Sequence, residues 1–401
     1  MTQPLHLVLI ADTFPPFRTS GAVQLRDLAR EFVRQGHDLT VILPEPDLDA
    51  GWAVGEMDGF RVLRLKAPRT RDVGYIRRTI GEFLMPFSMI FHLQRSPMAQ
   101  SKWDGVVWYS PSIFHGLLAN SLKKRSSCKG YLIIRDIFPQ WALDMGLMRR
   151  SLPYLFFDKV AQYQYSVADI IGVQTSGNLR YFDQARRKMN NKLEVLNNWL
   201  ANPGENRCSI RVDQTCLAGR KIFVYAGNMG VAQGMDILLD LAGMLQESSE
   251  IGFLFVGRGS DASRLRELTK TYNFNNVLFF DEIHPDEIPD LYAQCHVGIV
   301  ALSSQHNTHN IPGKFLTYMQ SGLPVLANIN DGNDLAQVIR DGQVGQVCES
   351  NMSDDLMTLA LKILEQVNMD KGLPDRCRKL FEKNFSSNSA AQQIVNAFLN
   401  Q

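Results

Sequence analysis

The chain has 401 residues, of which 45% are apolar and 21% charged; this composition is typical of a folded soluble protein and excludes disorder, collagen-like repetition and a disulfide scaffold. The net charge of +1 conceals an asymmetry, because residues 1–200 hold 26 Lys and Arg against 18 Asp and Glu, whereas residues 201–401 hold 16 against 23. The basic half is expected to meet an anionic partner. Nucleic acid is not that partner, because the basic residues are spread over several elements without a recognised DNA- or RNA-binding module.

Cysteine usage and the apolar runs indicate the compartment. The six cysteines lie far apart without a CxxC pair, so we expect reduced thiols in a cytosolic protein. The first apolar run has neither a basic leader nor a cleavage site and is predicted to be a strand rather than a signal peptide. No run reaches the roughly 18–20 apolar residues that span a bilayer. We expect an intracellular protein that can still lie on a membrane.

From the first residues onward, short apolar runs alternate with segments of helical period, the pattern of βα units with a parallel sheet. Leu5–Ala11 is predicted to be a strand, Ala22–Gln35 a helix and Asp38–Leu43 the next strand. The later strands of the first half are predicted at Phe60–Leu65, Asp104–Tyr109, Gly130–Ile134, Asp169–Gln174 and Leu193–Leu196.

The pattern starts afresh after a polar linker, Asn202–Gly219. Strands are predicted there at Arg220–Ala226, Ile251–Val256, Asn276–Phe280, His296–Leu302, Leu323–Asn328 and Gly345–Cys348. We therefore predict an α/β protein of two Rossmann-like domains, residues 1–200 and 201–385, with a C-terminal helix in residues 386–401 that joins the first domain.

In doubly wound sheets ligands bind beyond the carboxyl ends of the strands, so the loops that follow strands are candidate sites. Residues 11–21 end at Gly21, which lets a ligand approach a helix start, although a tight connection is the alternative. Residues 226–234 contain Gly227 and Gly230 but match neither a P-loop nor a complete dinucleotide fingerprint.

The third loop, residues 303–314, contains a candidate cation for binding an anion. Pro312 suits the first turn of a helix, and Lys314 would then face an anion together with the helix dipole. Arg258, between Gly257 and Gly259 after another strand, offers a second cation. A solvated lysine is the alternative, but the joint occurrence of all these loops favours an anion site.

Six motifs follow one another along the chain: Phe14-Pro-Pro…Gly21, Gly36-His-Asp-Leu-Thr-Val41, Tyr225-Ala-Gly-Asn-Met-Gly230, Val256-Gly-Arg-Gly259, Pro312-Gly-Lys…Tyr-Met319 and Ser321-Gly-Leu-Pro-Val325. Over nearly the whole chain they resemble the motifs of the retaining family 4 glycosyltransferases of GT-B fold. Two further segments, Trp108–Phe114 and Arg135–Trp141, resemble the bacterial O-antigen and capsule subgroup that includes N-acetyl-L-fucosamine transferases.

The resemblance implies two facing domains with a cleft between them, in which the C-terminal domain binds a UDP-sugar and the N-terminal domain binds the acceptor. The implied donor-binding residues are Gly227, Asn228, Gly230, Gly257, Arg258, Ile283, His309, Lys314 and Thr317. The implied acceptor-side residues are Asp12, Gly21, Ser110, His115, Arg135 and Asp136.

The implied catalytic residues are Arg258 and Lys314, which would neutralise the departing diphosphate, and Asp136, which would orient or deprotonate the acceptor hydroxyl. For Asp136 a helix N-cap is the alternative. For His115 the alternative is a helix histidine whose hydrogen bonds are satisfied within the protein.

Several positions depart from the family pattern. The usual pair of glutamates falls at His309 and Thr317, a common lysine at Gln233, and a frequent arginine at Asn228. Arg258 and Lys314 would therefore have to neutralise more of the diphosphate charge. No metal or cofactor is predicted, because Asp47 and Asp49, although spaced like a metal-diphosphate motif, lie in a Pro- and Asp-containing loop typical of a solvated turn.

A basic run precedes an apolar helical segment in the first half. Seven arginines and lysines lie between Arg61 and Arg78, and Ile80–Leu93 follows with Glu82 and Pro86 inside it. This order suits a helix lying among anionic headgroups, and a core helix with a solvated edge is the alternative. The expected partners are thus a UDP-sugar, a polyprenyl-diphosphate-linked glycan and the inner face of the cytoplasmic membrane.

The sequence analysis favours a metal-independent, retaining glycosyltransferase that transfers an N-acetylated sugar such as N-acetyl-L-fucosamine. Two alternatives stay open: a UDP-sugar 2-epimerase of the same architecture, and a non-catalytic scaffold of a polysaccharide assembly complex.

Overall fold

The computed structural model describes residues 3–17, 19–182, 192–204, 206–230, 233–302 and 311–399. The chain divides into two compact units. The first unit comprises Met1–Asn197 and Ser387–Gln401, and the second comprises Asn198–Ser386. Each unit contains its own sheet and its own buried apolar core.

The first unit is a sheet covered by helices. Its strands are β1 (His6–Ile10), β2 (Asp38–Glu45), β3 (Trp52–Met57), β4 (Phe60–Lys66), β5 (Gly105–Ser110), β6 (Lys129–Ile134), β7 (Ile170–Val173) and β8 (Lys192–Val195). Its α-helices are α1 (Ser20–Arg34), α2 (Tyr75–Leu93), α3 (Gly116–Ser126), α4 (Gln140–Asp144), α5 (Leu152–Val167) and, from the end of the chain, α13 (Ser387–Leu399); a 3₁₀ helix covers Gly177–Phe182.

The strand order of this sheet is β3-β4-β2-β1-β5-β6-β7-β8. The pairs are parallel except that β3 runs antiparallel to β4 at the edge. The sequence analysis missed β3, because its side chains alternate between partly buried and exposed and Gly55 interrupts the apolar run. The central strands β1 and β5 are buried along nearly their whole length, as expected where helices cover both faces of a parallel sheet.

The second unit repeats the architecture with a smaller sheet. Its strands are β9 (Lys221–Ala226), β10 (Ile251–Val256), β11 (Val277–Phe280), β12 (Val297–Ala301), β13 (Val325–Asn328) and β14 (Gly345–Cys348). Its α-helices are α6 (Asp236–Met244), α7 (Ala262–Thr271), α8 (Ile288–Ala293), α9 (Gly313–Gln320), α10 (Asp334–Gly342), α11 (Ser353–Met369) and α12 (Leu373–Asn384), with 3₁₀ turns at Val212–Gln214 and Pro285–Glu287.

The second sheet is parallel throughout, in the order β11-β10-β9-β12-β13-β14. The carboxyl ends of β9, β10, β11 and β12 therefore meet at one edge. The segment predicted as a linker packs instead on this unit, since Cys208, Ile210 and Val212 belong to its core. The predicted fold class, two Rossmann-like domains with parallel sheets, is confirmed.

Within the described residues no helix is both long enough and apolar enough to cross a membrane. Helix α2 has 19 residues and contains Pro86. Its buried positions are few, and several of its large apolar side chains face solvent: Tyr75, Ile76, Ile80, Phe83, Leu84, Phe87 and Phe91.

Candidate functional site

Two glycine turns meet at the carboxyl edge of the second sheet. Gly227 follows β9 and donates its N–H to the Val256 carbonyl at 2.9 Å, while Met229 donates to the Arg258 carbonyl at 2.8 Å. Gly257 has a φ of +142°, and a Cβ there would lie 2.1 Å from the Gly227 oxygen. Only glycine fits at position 257, because any side chain would separate the two turns.

Lys314 lies on the first turn of α9, next to these glycines. Its ammonium sits 3.4 Å from the centroid of the Tyr225 ring, and an ideal Cβ on Gly227 would lie 3.7 Å from Lys314 Cε. No carboxylate partner for the ammonium occurs among the described residues. Burial lowers the pKa of Lys314 to about 7. The ammonium is thus a cation held against bare backbone without a compensating acid, which an incoming anion would stabilise.

Arg258, the second predicted cation, forms an ion pair. Its Nε lies 3.0 Å from Glu282 Oε2, and both side chains are largely exposed, 80% and 57% respectively. An exposed pair of this kind contributes about 0–1 kcal/mol, so Arg258 can exchange its partner for a ligand at little cost. Glu282, which follows β11, competes with any anion for this arginine, and the sequence analysis did not identify it.

Gln233 organises the first glycine turn. Its Oε1 accepts from the Gly230 N–H at 3.0 Å and from Asn228 Nδ2 at 3.1 Å. The Tyr225 hydroxyl donates to the Asn228 carbonyl at 2.6 Å. The predicted donor residues Asn228 and Gly230 therefore belong to a turn whose shape is fixed by hydrogen bonds within the turn and its strand.

The remaining predicted donor residues fall into three situations. Thr317 Oγ1 donates to the Gly313 carbonyl at 3.3 Å, within α9. Ile283 packs its partly buried side chain on the core of the second unit. His309 lies outside the described residues, as does most of the predicted loop 303–314.

At the carboxyl edge of the first sheet, Arg135 is buried and bound to backbone. Its Nη1 donates to the Leu196 carbonyl at 2.9 Å and its Nη2 to the Asn197 carbonyl at 3.4 Å. Burial lowers its pKa to about 10, opposed mainly by Tyr109 and Tyr131. The structure therefore uses this guanidinium to tie β6 to the segment after β8, which the sequence analysis had not foreseen.

Asp136 follows Arg135 and remains exposed to solvent. The surrounding protein nevertheless desolvates its carboxyl group and raises its pKa, against the charge of Arg135. No hydrogen bond from Asp136 to a helix N-terminus occurs among the described residues, so its carboxylate is available to a ligand. This geometry fits the predicted role as a hydroxyl-orienting or proton-accepting group better than the alternative of an N-cap.

Asp12 and Ser110 lie at the carboxyl ends of the neighbouring strands β1 and β5, and Gly21 lies in the first turn of α1. An ideal Cβ on Gly21 would lie 3.0 Å from the Tyr109 hydroxyl, so a larger residue would displace that side chain. Ser110 ends β5 and is buried. The Asp12 carbonyl accepts from Arg71 at 2.7 Å. The structure thus brings the acceptor-side residues to one edge of the first sheet.

His115 is buried with 0% exposure at the start of α3. Neither ring nitrogen has a hydrogen-bond partner among the described residues, and burial lowers the pKa of His115. The imidazole is therefore neutral near pH 7, but its unpartnered nitrogens do not fit the predicted alternative of a hydrogen-bonded helix histidine.

Asp47 ion-pairs with Arg69, and Asp49 is exposed in the turn after β2, as expected of a solvated turn. Within the described residues, no group of three or more His, Cys, Asp or Glu side chains could hold a metal ion.

Comparison with known proteins bears on this arrangement. Residues 220–366 match the family model described as "Glycosyl transferases group 1". WcaI of Escherichia coli (strain K12), named as a colanic acid biosynthesis glycosyl transferase, is 23% identical over 377 residues, 86% of each chain. Both matches are similarities to glycosyltransferases.

Further comparisons agree with the glycosyltransferase fold. WbjE of Pseudomonas aeruginosa, named as a probable glycosyltransferase, is 24% identical over 274 residues, which span 64% of this chain and 65% of that protein. HepE of Anabaena, solved in complex with UDP, has a TM-score of 0.66 at 14% identity over 99% of this chain and all of that one. WaaG, a glycosyltransferase involved in lipopolysaccharide biosynthesis, gives 0.58 at 14% identity over 98% and 100%. The chain thus shares the GT-B fold of these glycosyltransferases.

Proposed function

We propose that this protein is a retaining, metal-independent glycosyltransferase that transfers a sugar from a UDP-sugar to a polyprenyl-diphosphate-linked glycan. N-acetyl-L-fucosamine or a related N-acetylated sugar is the proposed donor sugar, and bacterial O-antigen or capsule biosynthesis is the proposed process. The observation that carries the proposal is Lys314, whose partly buried ammonium lies beside the glycine turns and has no acidic partner among the described residues.

The donor chemistry follows from the second unit. A diphosphate needs backbone that it can approach and cations that can neutralise it, and Gly227, Gly257 and Lys314 supply both at one sheet edge. As the bond from the anomeric carbon to the phosphate oxygen breaks, negative charge grows on the diphosphate. Cations fixed there in advance stabilise that charge. The named ligand of HepE, UDP, supports a uridine nucleotide for this chain as well.

The acceptor chemistry follows from the first unit. In a front-face displacement the acceptor oxygen bonds to the anomeric carbon on the side from which UDP leaves, and the configuration is retained. The acceptor proton passes to the leaving phosphate oxygen, so no separate base is required. Asp136 then orients the acceptor hydroxyl by accepting a hydrogen bond from it.

A lipid-linked acceptor and a peripheral location on the inner face of the cytoplasmic membrane are supported by the surface of the first unit. Exposed apolar side chains occur on α2, α4 and α5, including Trp141, Leu152 and Leu155, and Phe83 of α2 contacts Phe156 of α5. Arg77, Arg149 and Arg150 are exposed nearby in the sequence. An apolar face flanked by cations suits an anionic bilayer. The names of WcaI and WaaG, which refer to surface polysaccharides, agree with such an acceptor.

The test is a donor screen on the purified chain. A panel of UDP-sugars is incubated with a synthetic prenyl-diphosphate-linked sugar, with and without EDTA. Products are analysed by mass spectrometry, and the new anomeric linkage by NMR. The proposal expects a glycosylated acceptor of retained configuration, formed equally with EDTA. A UDP-sugar epimerised without acceptor would identify the 2-epimerase, and no turnover with UDP bound would identify the scaffold.

A further inference from the structure

Helices α2, α3 and α5 of the first unit enclose an apolar groove of about 350 Å³, a size within the roughly 300–1,000 Å³ of small-molecule sites. Its walls are almost entirely aromatic and aliphatic. The side chains that line it include Phe83, Phe87, Phe114, Leu117, Phe156 and Tyr163. Phe114 follows closely after the carboxyl end of β5, so the groove reaches the sheet edge that carries the acceptor-side residues.

The groove is an open surface feature. Phe83, Phe87 and Phe156 are 44%, 51% and 38% exposed, yet their rings are in contact. The Phe83 centroid lies 5.8 Å from that of Phe87 and 6.0 Å from that of Phe156. Exposed aromatic rings gathered around a concave surface mark a binding site for an apolar ligand.

One cation, Lys159 of α5, lines the groove itself, and two arginines lie by the Asp12 loop among the acceptor-side residues. Arg71 donates to the Asp12 carbonyl and stacks on the Phe17 ring at 3.9 Å. The pKa of Arg78 is raised, first by its hydrogen bond to Glu82 and in addition by Asp12, so the first turns of α2 lie near the Asp12 loop. Arg78 and Phe83 are five residues apart on α2, about 7.5 Å along its axis.

The shape and charge together define the ligand. A bilayer presents many chains to a broad face, whereas this groove is a slot lined by Lys159, with Arg71 and Arg78 by the Asp12 loop. A slender apolar chain with an anionic head complements both parts. We propose that the groove binds the isoprenoid chain of a prenyl-diphosphate acceptor and that Arg71 and Arg78 bind its diphosphate. The proposal rests on the proposed function, since it supplies the site for the lipid part of that acceptor.

The test uses geranyl diphosphate, a water-soluble prenyl diphosphate, and inorganic diphosphate as the head alone. Both are titrated calorimetrically into the full chain without vesicles, with UDP at saturation to fill the donor site. Geranyl diphosphate should bind at least about tenfold more tightly than inorganic diphosphate, because burying its chain adds apolar contact. Arg71→Gln should weaken both ligands by a similar factor.

Phe87→Asp should abolish the difference between the two ligands. Phe91→Asp is the matched control, because Phe91 lies one turn further along α2 and is 49% exposed, but does not line the groove. Leu117→Trp, which fills the groove without adding charge, should act like Phe87→Asp. Circular dichroism checks that each variant is folded.

Equal affinity for the two ligands, or equal effects of Phe87→Asp and Phe91→Asp, would overturn the proposal. Binding of anionic phospholipid vesicles that depends on Phe87 and is unaffected by geranyl diphosphate would assign the groove to an acyl chain instead. The UDP titration that precedes each experiment separates the two hypotheses. If the protein binds UDP but not geranyl diphosphate, only the proposed role of the groove is contradicted. If the protein does not bind UDP, the proposed function is contradicted.

Discussion

The carboxyl edges of the two sheets use charge in opposite ways. In the second unit, Lys314 lies beside exposed glycine backbone without an acidic partner among the described residues. In the first unit, the buried cation Arg135 is already bound to the carbonyls of Leu196 and Asn197, and the carboxyl group of Asp136 is the one left available. The comparison teaches that one edge is suited to receiving an anion and the other to accepting hydrogen bonds from hydroxyl groups.

The largest expected effect comes from removing the cation of the second edge. Lys314→Ala should lower turnover by about a hundredfold, the scale of losing one electrostatic donor to the transition state. Steady-state assays with the donor and acceptor found in the screen measure it. Lys270→Ala is the control, because Lys270 is an exposed lysine of the same unit, paired with Glu267. Wild-type turnover in Lys314→Ala would remove the distinction between the two edges.

The carboxylate of the first edge should matter less. If Asp136 orients the acceptor hydroxyl without taking its proton, Asp136→Asn keeps a hydrogen-bond acceptor and should lower kcat/KM for the acceptor by about tenfold, or 1.4 kcal/mol. UDP affinity should not change. Asp144→Asn, on α4 of the same unit, is the control. A loss of a thousandfold or more would make Asp136 an obligatory base, and no loss would exclude it from the site.

The pKa of Lys314 predicts a pH dependence of donor binding. At a free pKa of about 7 the ammonium is half protonated at pH 7 and mostly neutral at pH 8. A bound diphosphate favours the charged form, so affinity for UDP-glucose should fall about fivefold from pH 7 to pH 8. Titrations between pH 6 and 8.5 measure this, since the diphosphate diester does not itself titrate there. Lys314→Arg should bind without that slope, because arginine stays charged.

The smallest expected effect concerns the competing pair at the second edge. Glu282→Gln releases Arg258 from its carboxylate and should strengthen UDP binding by up to about fivefold, the range of an exposed ion pair. Calorimetry at low salt measures the change, and added salt should reduce it. Weaker binding in Glu282→Gln would mean that the pair positions Arg258 for the ligand instead of competing with it.

Much of the fold could be predicted because parallel strands buried on both faces form continuous apolar runs. Leu5–Ala11, predicted from such a run, contains β1, His6–Ile10. The edge strand β3 could not be predicted in the same way, because its alternating exposure resembles that of a loop.

Single cations were easier to predict than their partners. Lys314 and Arg258 follow strand ends within recognisable motifs, so the sequence identifies them. Glu282 reaches Arg258 from the loop after a neighbouring strand, a contact that depends on strand order. The arginines of the basic run in the first half also have different surroundings in the structure. Arg61 pairs with Asp38 and Arg69 with Asp47, whereas Arg71 and Arg78 lie by the Asp12 loop.

A calorimetric comparison of UDP with uridine decides whether the second unit binds a diphosphate. If the glycine turns and Lys314 receive that group, UDP should bind at least about a hundredfold more tightly than uridine at pH 7, a difference of 2.7 kcal/mol or more, and Lys314→Ala should remove most of it. Equal affinities for UDP and uridine, or a difference that survives in Lys314→Ala, would contradict the assignment of this edge.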